Sequence, residues 1–410
     1  MSNFAFGTYR ISDYNPQHIQ ALRDAISSGI SMIDTSSNYM DGGAERAIAL
    51  AFRKFLTENG DESVKDAVEI VSKVGYIQGS NMDRHKEKPF EEVVEFSSDC
   101  FHSIGASFIK DQLTESLKRL EMQRIDCYLL HNPEYYLLDA IKKGIDKDEM
   151  QGEMYKRIYN AFIALELEVK NGRILSYGIS SNSFSKIKSS DEFLPYEDLI
   201  TLAHRASKEV SNDTHSFTTV QLPINILEPE GLKCASWAKE NGLRVLANRP
   251  LNAEYAGKMF RLADYDESRD YYHHLNELLD ICDNEQLKPL YNLFEELDAS
   301  KHKFGWIGDW DAFFFSEIIP HMRTSLQNLD EESKELLVNS IDMFFVEYKK
   351  MVLHECSKNT RKALKELFEN DDISMQVMAL RFLIVQENID YILVGMRKPS
   401  YVQEILTLKD

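Results

Sequence analysis

The sequence contains no apolar run of membrane-spanning length, and its five cysteines form no CxxC pair. A membrane-crossing helix needs about 20 consecutive apolar residues, so no membrane-embedded segment is predicted. The cysteines are odd in number and widely spaced, which indicates reduced thiols rather than a disulfide framework or a zinc site. The opening segment MSNFAFGTYRIS lacks a basic start followed by an apolar region, so we expect no export signal and a cytoplasmic location.

Positive charge is also scarce. The chain carries 47 lysines and arginines against 67 aspartates and glutamates, which leaves a net charge of -20. A surface of this sign repels nucleic acid and anionic membranes, so neither is expected as a partner, and an anionic ligand would need a local basic pocket. With 410 residues, 43% of them hydrophobic, the chain can bury the core of one large domain or two ordinary ones.

A repeated pattern of an amphipathic helix, a stop signal and a short apolar strand follows the chain. Counting FGTYRI as the first, eight such strands occur near residues 5, 31, 69, 125, 174, 217, 243 and 390. Continuous Val/Ile/Leu runs that alternate with helices indicate parallel strands buried on both faces. The pattern predicts an α/β fold, a closed (β/α)8 TIM barrel. An open doubly wound sheet is the alternative, but no GxGxxG follows the first strand.

One long interval interrupts this alternation. Residues 251–370 show helical patterns and the aromatic stretch KFGWIGDWDAFFF, but no convincing strand. A structureless loop of that length inside a domain would be unusual, so we interpret the interval as a helical insertion between strand seven and its following helix. The predicted organisation is therefore barrel units one to seven in residues 1–250, the insertion in 251–370, and the last barrel unit in 371–410. A smaller excursion, residues 76–107, follows strand three.

Four polar residues fall where predicted strands end. Asp34 ends strand two and Tyr39 follows it in MIDTSSNYMDGGAE, Lys73 ends strand three in IVSKVG, and His131 ends strand four in CYLLHNP. Asp34, Tyr39 and His131 are each commonplace alone, as a turn residue, a packed ring and a core histidine. Lys73 is unusual, because a lysine that closes an apolar strand must reach solvent or pair with a carboxylate. Because these three strands are neighbours in a barrel, however, all four side chains should meet above its mouth, where active sites of such barrels lie.

This combination suits one kind of chemistry. A free phenol has a pKa of about 10 and is a poor proton donor or acceptor near neutrality. A neighbouring ammonium would lower that pKa, and a carboxylate would hold the ammonium in place and charged. A histidine that donates a hydrogen bond could orient a substrate oxygen. Such a site supports proton transfer coupled to hydride transfer, if a nicotinamide lies within reach.

The sequence resembles the aldo-keto reductases over residues 4–250 and 371–410, outside the insertion. The resemblance is carried by the ordered motifs DTSSNYMDGGAE, SKVG, LLHNP, YGISSNS, VQLPIN, LANRPL and LVGMRKPSYV. It implies that Tyr39 is a general acid, that Lys73 and Asp34 tune it, and that His131 orients the substrate.

The same resemblance implies a cofactor site. Ser181, Asn182 and Gln221 match positions that bind the nicotinamide carboxamide. A basic stretch before the last helix matches the region that holds the adenosine 2′-phosphate, which favours NADPH, with NADH as the alternative. The cofactor residues implied near the ends of strands seven and eight are Asn248, Arg249, Gly395, Met396, Arg397 and Lys398.

Three positions depart from the family pattern. Asn248 replaces an aromatic residue that often stacks on the nicotinamide, Arg249 stands where serine is common, and Ile405 stands where an asparagine often reads the adenine. The long insertion could act as a lid, as an oligomer or partner interface, or as a helical subdomain whose aromatics form its own core.

The leading functional hypothesis is an NADPH-dependent carbonyl reductase that acts on a small carbonyl or sugar substrate. One alternative is a sugar dehydrogenase that runs in the oxidative direction, because VGMRKPSYV is similar to the galactose-dehydrogenase branch of the family. Another is a cofactor-binding regulatory protein with slow turnover, as in the potassium-channel β subunits. No metal is predicted, since His273-His274 and Cys356 near His354 offer no convincing ligand set.

Overall fold

The computed structural model of the chain describes residues 3–60, 63–327, 329, 331–368 and 372–408. The chain divides into two compact units. The first combines Met1–Pro250 with Phe382–Asp410, and the second is Leu251–Arg381. The later boundary falls inside the helix Met375–Ile384, beyond the position at residue 370 that the sequence pattern indicated.

The first unit contains a closed barrel of eight parallel strands, which confirms the predicted fold. Each strand pairs with its neighbours in sequence, and the last strand closes the barrel against the first. The strands are β1 (Asn3–Gly7), β2 (Met32–Asp34), β3 (Glu69–Val74), β4 (Ile125–His131), β5 (Ile174–Ser180), β6 (Phe217–Pro223), β7 (Arg244–Asn248) and β8 (Tyr391–Val394).

Burial on both faces explains why these segments are apolar runs. Inside the barrel one cluster of side chains comes from β1, β2, β3, β4, β7 and β8: Ala5, Met32, Val71, Cys127, Leu129, Leu246 and Leu393. Large aliphatic side chains that interlock in this way fill the barrel interior, so its centre is a packed core. Ligand chemistry is therefore confined to the two ends.

Helices cover the outside of the barrel, and two of them begin with a capping side chain. Asn15 caps the first helix by accepting a hydrogen bond from the Gln17 amide, with Pro16 at the first helical position. Asp146 caps the helix Lys147–Lys170 in the same way. The helices of this unit are Pro16–Ser27, Gly43–Asn59, Val64–Ala67, Ser80–Glu87, Ala106–Leu120, Tyr135–Lys142, Lys147–Lys170, Leu199–Glu209, Gly231–Glu240, Pro399–Leu406 and the 3-10 turn Ser183–Ser185.

The first strand ends earlier than the run FGTYRI indicates. Strand β1 stops at Gly7, and Thr8 donates its amide hydrogen to the Asp34 carbonyl at the end of β2. Tyr9 is then 63% exposed, because the chain has left the barrel wall. The excursion after β3 also contains regular structure, the helix Ser80–Glu87 and a three-stranded sheet formed by Tyr76–Ile77, Cys100–His102 and Val94–Ser97.

The second unit is mainly helical, but the expectation that it contains no strand is wrong. It begins with an antiparallel hairpin, Asn252–Tyr255 and Lys258–Arg261. The turn holds Ala256 and Gly257 at positive φ, which a short hairpin turn requires and an apolar-run search does not detect. The helices that follow are Tyr271–Cys282, Lys288–Ser300, Ile307–Phe313, the π-helix Phe314–Ile318, Ile319–Leu326, Glu331–Ala363 and Met375–Ile384, the last of which crosses into the first unit.

Most aromatic residues of the insertion serve its own core. Tyr271, Phe294, Trp310, Phe344 and Tyr348 are buried in one cluster. This packing accounts for much of the aromatic composition of the segment. Across both units, no helix within the described residues is long and apolar enough to cross a membrane.

Contact between β5 and β6 depends on a glycine. A Cβ added at Gly178 would lie 2.0 Å from the Thr219 carbonyl oxygen and 2.8 Å from a Leu129 methyl group. We expect Gly178→Ala to lower the free energy of unfolding by about 3 kcal/mol, because two paired backbones must separate. Gly152→Ala is the matched control. That glycine lies in a helix with open space around it, so the change should stabilise by about 0.5–1 kcal/mol. Urea unfolding of both variants measures the difference, and equal stabilities would contradict the prediction.

Candidate active site

The parallel strands bring the predicted residues to one end of the barrel. Asp34 is the last residue of β2 and His131 the last of β4, while Lys73 is the fifth of the six residues of β3. Tyr39 lies in the loop after β2, where its amide bonds to the Ser36 carbonyl. All four side chains therefore project from the same mouth.

The glycines after Tyr39 allow the next helix to begin. Met40, Asp41 and Gly42 all have positive φ, and the helix starts at Gly43 with Gly42 as its cap. The Ala44 amide bonds back to the Tyr39 carbonyl. Three successive left-handed residues reverse the chain sharply, and glycine adopts that conformation without a steric cost. This turn holds the tyrosine over the mouth.

Lys73 is fully buried, and its ammonium has three acceptors. Nζ lies 2.8 Å from Asp34 Oδ2, 2.8 Å from the Thr35 carbonyl oxygen and 3.2 Å from the Tyr39 hydroxyl oxygen. An ammonium has three hydrogens, so these contacts use all of them. The other Asp34 oxygen accepts a hydrogen bond of 2.7 Å from Gln221 Nε2. Donors on both oxygens are what an ionised carboxylate requires.

The pKa values follow from burial and from these contacts. Burial lowers the pKa of Lys73, but Asp34 and Tyr39 outweigh it and raise the pKa, so the side chain is charged. Burial raises the pKa of Tyr39, the Lys73 ammonium opposes this, and burial prevails. The Lys73 ammonium lowers the pKa of Tyr39 as expected, but burial leaves the net pKa above that of a free phenol. Tyr39 is a protonated phenol at neutral pH.

His131 lies beside this group. Its ring centroid is 5.9 Å from that of Tyr39, and its Nδ1 is 3.1 Å from the Ser36 hydroxyl oxygen. Burial lowers the pKa of His131, and Lys73 and His102 lower it further, so the ring is neutral. The His131 carbonyl oxygen accepts a hydrogen bond of 2.7 Å from His102, and the Tyr76 ring packs edge-on at 4.8 Å. Side chains from the excursion after β3 thus fix the ring.

The residues expected to hold a nicotinamide carboxamide lie at the ends of β5, β6 and β7. Gln221 Oε1 accepts hydrogen bonds from Ser180 Oγ at 2.9 Å and from Asn248 Nδ2 at 3.4 Å. The Asn182 side-chain amide and the buried Asn248 Oδ1 have no hydrogen-bond partner among the described residues. Ser181 is fully buried, and its hydroxyl oxygen accepts from the Ser183 amide. Donors and acceptors suited to an amide ligand remain available here.

Arg249 is engaged within the protein. Its guanidinium pairs with the Glu228 carboxylate, and its backbone has a positive φ of 52°. Its carbonyl oxygen accepts a hydrogen bond from Asn225, whose side chain also bonds to Glu228. A cofactor contact from Arg249 would therefore compete with this ion pair.

The segment before the last helix combines an open glycine, a buried methionine and two cationic residues. Gly395 has open space where a Cβ would stand, while the Met396 side chain is fully buried. Lys398 caps the helix Pro399–Leu406, where helix geometry favours an anion. Arg397 lies near His18: burial lowers the pKa of that histidine, and the Arg397 charge lowers it further. Because the Met396 side chain is fully buried, only its backbone could contact a ligand.

Sequence reasoning missed Glu134. This buried residue follows the motif LLHNP directly, and its Oε1 accepts hydrogen bonds of 2.8 Å from the Asn182 amide and 3.3 Å from the Ser183 amide. It thereby joins the end of β4 to the turn after β5. The sequence did carry a signal for it, because Glu134 is an acidic residue just after the predicted fourth strand. Burial raises the pKa of Glu134 to about 7, with the hydrogen bonds acting in the opposite direction.

A separate group of potential metal ligands occurs in the second unit. His273, His274 and Glu277 lie on one helix, with ligand atoms within 4.8 Å of one another. Glu277 adds a third potential metal ligand to the two histidines His273 and His274. Within this cluster, His274 Nδ1 lies 3.6 Å from the Glu277 carboxylate.

The Lys73–Asp34 pair can be tested by its energetics. We expect Lys73→Met to lower the free energy of unfolding by about 3–5 kcal/mol, because it leaves a buried carboxylate without its counter-ion. Adding Asp34→Asn should restore part of that loss, since the buried charge is then gone. Denaturant unfolding of both single variants and the double variant gives the coupling energy. Additive losses would show that the two groups do not interact.

Glu134 predicts a pH dependence of stability. Its folded pKa of about 7 lies above the ordinary value of 4.5, so the folded state holds the proton more tightly. The stabilising effect of that proton is complete below about pH 4.5 and is lost as the pH rises through 7. Relative to Glu134→Gln, we expect the wild type to lose about 2.5 kcal/mol between pH 5 and 8, by urea unfolding. A constant difference across this range would contradict the assignment.

Comparison with known proteins assigns the chain to a family. The profile of the Aldo/keto reductase family matches residues 3–409. An aldo/keto reductase from Klebsiella pneumoniae, solved with NADP and acetate, is 22% identical to this chain, with a TM-score of 0.38. The match covers 60% of this chain and 64% of the Klebsiella protein, which is less than two thirds of the length of that protein. The glycerol dehydrogenase from Gluconobacter oxydans is 17% identical with a TM-score of 0.49, covering 99% and 86%.

A search of curated proteins finds no match. The family profile nevertheless spans nearly the whole chain, including the insertion, and so confirms the family predicted from the motifs. The chain belongs to the aldo/keto reductase family.

Proposed function

We propose that the protein is an NADPH-dependent oxidoreductase that reduces a small carbonyl compound, with Tyr39 as the general acid. The observation that supports this most directly is the Lys73 ammonium, which bonds to both the Asp34 carboxylate and the Tyr39 hydroxyl in a fully buried position. A buried lysine with no other function is uncommon, because its desolvation must be offset by good partners.

Each of these residues has a distinct role in the proposed reaction. Tyr39 is protonated and gives its hydroxyl proton to the carbonyl oxygen as negative charge develops there. The Lys73 ammonium, 3.2 Å away, stabilises the phenolate that remains. Asp34 keeps the ammonium oriented and charged. In the reverse direction the phenolate accepts a proton from an alcohol, so the same group serves oxidation.

The cofactor site is proposed from groups that are still available for a ligand. Asn182 and Asn248 retain side-chain hydrogen-bonding capacity within the part of the chain that the structure describes, and Gln221 retains one amide hydrogen. These groups fit a carboxamide, which needs donors and acceptors at once. The hydroxyl of buried Ser181 already bonds to the Ser183 amide and to Glu134, so Ser181 would have to exchange these partners to contact the ligand. Bound NADPH would supply the hydride.

The preference for NADPH over NADH rests on charge. In a chain with a net charge of -20, Arg397 and Lys398 place two cations beside the open backbone at Gly395 and at a helix N-terminus. This arrangement favours a phosphate monoester. The alternative is oxidation of a sugar alcohol, the reverse of carbonyl reduction. The position of the equilibrium under assay conditions determines which of these two directions is observed.

Substitution of Tyr39 tests the mechanism. We expect Tyr39→Phe to lower kcat by about 100- to 10,000-fold, because the general acid is lost, while the Kd for NADPH changes little. Nicotinamide absorbance measures turnover, and fluorescence titration measures NADPH binding. Tyr14→Phe is the control, since that ring is 78% exposed. Turnover by Tyr39→Phe equal to that of wild type would remove Tyr39 from the mechanism.

A further inference from the structure

Two histidines and a glutamate meet on the solvent side of one helix in the second unit. The helix Tyr271–Cys282 carries His273, His274 and Glu277, and their ligand atoms all lie within 4.8 Å of one another. Side chains three and four positions apart are neighbours on a helix surface. Glu277 is therefore next to both histidines, four positions after the first and three after the second. A little more than one helical turn presents two imidazoles and a carboxylate in one small volume.

The other side of this helix is anchored in the core of the second unit. Tyr271, Leu275 and Leu278 are buried in the aromatic and aliphatic cluster of that unit. The Tyr271 hydroxyl also donates a hydrogen bond of 2.8 Å to Asp298. A packed helix fixes the spacing of the side chains that it presents to solvent, and sites built on such elements are held more precisely than sites on loops. The backbone of this site is therefore preorganised.

The three side chains are not committed to other partners. His274 Nδ1 lies 3.6 Å from the Glu277 carboxylate, which is beyond the distance of a hydrogen bond. Among the residues that the structure describes, none donates a hydrogen bond to these side chains or accepts one from them. His273 and Glu277 are exposed and His274 is half-buried. Their nitrogen and oxygen atoms are therefore accessible to a ligand from solvent.

The spacing and the chemistry of the group suit a divalent transition metal. Zn²⁺ binds imidazole nitrogen and carboxylate oxygen at about 2.0–2.2 Å, so two ligand atoms of a tetrahedral site lie about 3.4 Å apart. The separation of 3.6 Å between His274 and Glu277 is close to that value. Small rotations of the exposed side chains bring in the third ligand. Two imidazoles and a carboxylate are a ligand set that Zn²⁺ uses with a further position open, whereas Mg²⁺ prefers oxygen ligands.

An exposed ion pair explains only part of this arrangement. It accounts for His274 and Glu277, but it gives no role to His273, whose ligand atom lies equally within the cluster. Exposed ion pairs also contribute little to stability. Two protonated rings side by side would repel each other, and the first turns of a helix disfavour positive charge. A metal ion uses both rings in their neutral form and balances the carboxylate.

We propose that His273, His274 and Glu277 form a binding site for one divalent transition-metal ion, a site that is separate from the proposed active site. The proposal goes beyond the proposed function and does not depend on it. All three ligands come from one helix, so the ion stabilises that helix instead of joining separate elements. Water fills the coordination positions that the three side chains leave open.

Zinc binding to the full chain tests the proposal. Metal-free protein is titrated with Zn²⁺ in competition with a chromophoric chelator. We expect one ion per chain, and we expect His273→Ala and Glu277→Gln each to weaken its binding by at least about tenfold, because a ligand is lost. His321→Ala and Glu296→Gln are the matched controls, an exposed histidine and an exposed glutamate on other helices of the same unit. Equal Zn²⁺ affinity in all four variants would overturn the proposal. If His273→Ala does not fold, Glu277→Gln still provides the test.

Hydrogen exchange locates the ion. At a Zn²⁺ concentration of about ten times the Kd, amide exchange through openings that release the ion should slow about tenfold in the helix Tyr271–Cys282. The same addition should leave this helix unchanged in Glu277→Gln. Slower exchange elsewhere in the chain, but not in this helix, would overturn the proposal. Mg²⁺ at the same concentration should have no effect. An equal effect of Mg²⁺ would show non-specific association of cations with an acidic chain, and would also overturn it.

Discussion

The buried ammonium of Lys73 is the interaction on which the rest of the site depends. A fully desolvated positive charge is tolerated only with a counter-ion and with an acceptor for each hydrogen. Asp34, Thr35 and Tyr39 supply those acceptors, and they come from the end of β2 and the loop after it. Direct pairing of β2 with β3 brings them to the lysine. The closed barrel therefore brings together the acceptors that stabilise the buried Lys73 ammonium. That ammonium in turn bonds to the Tyr39 hydroxyl.

Hydrogen bonds connect the Lys73–Asp34 pair to residues on the other side of the barrel mouth. Asp34 accepts a hydrogen bond from Gln221, which also accepts one from Ser180, so the carboxylate of the proton-transfer group is connected to the ends of β5 and β6. These are the positions at which a nicotinamide carboxamide is proposed to bind. Because Gln221 bonds to Asp34 and to Ser180, the Lys73–Asp34 pair and the proposed cofactor site share one side chain. A rigid connection of this kind holds reacting groups in place with little reorganisation.

A second set of contacts fixes the histidine. His131 is surrounded by groups from the excursion after β3 and from the loop after β2, which include Tyr76, His102 and Ser36. Their effect is both steric and electronic. Burial keeps the ring neutral, and these contacts fix its orientation.

Much of the architecture was accessible from the sequence because it depends on local pattern. Alternating apolar strands and helices predict a closed parallel barrel, and parallel strands place Asp34, Lys73 and His131 at the same end without further information. The hairpin Asn252–Tyr255 and Lys258–Arg261 escaped notice because its short strands carry few apolar residues and lie partly exposed.

Only the tertiary structure decided the chemistry of those residues. The pKa of Tyr39 is raised because burial exceeds the effect of Lys73, Arg249 is occupied by Glu228, and Glu134 joins two loops. The His131 ring is held by Ser36, Tyr76 and His102, which are far from it along the chain. Residue type and spacing determine which groups meet at the mouth. Desolvation and hydrogen-bond direction depend on every atom packed around those groups, and that environment exists only in the folded chain.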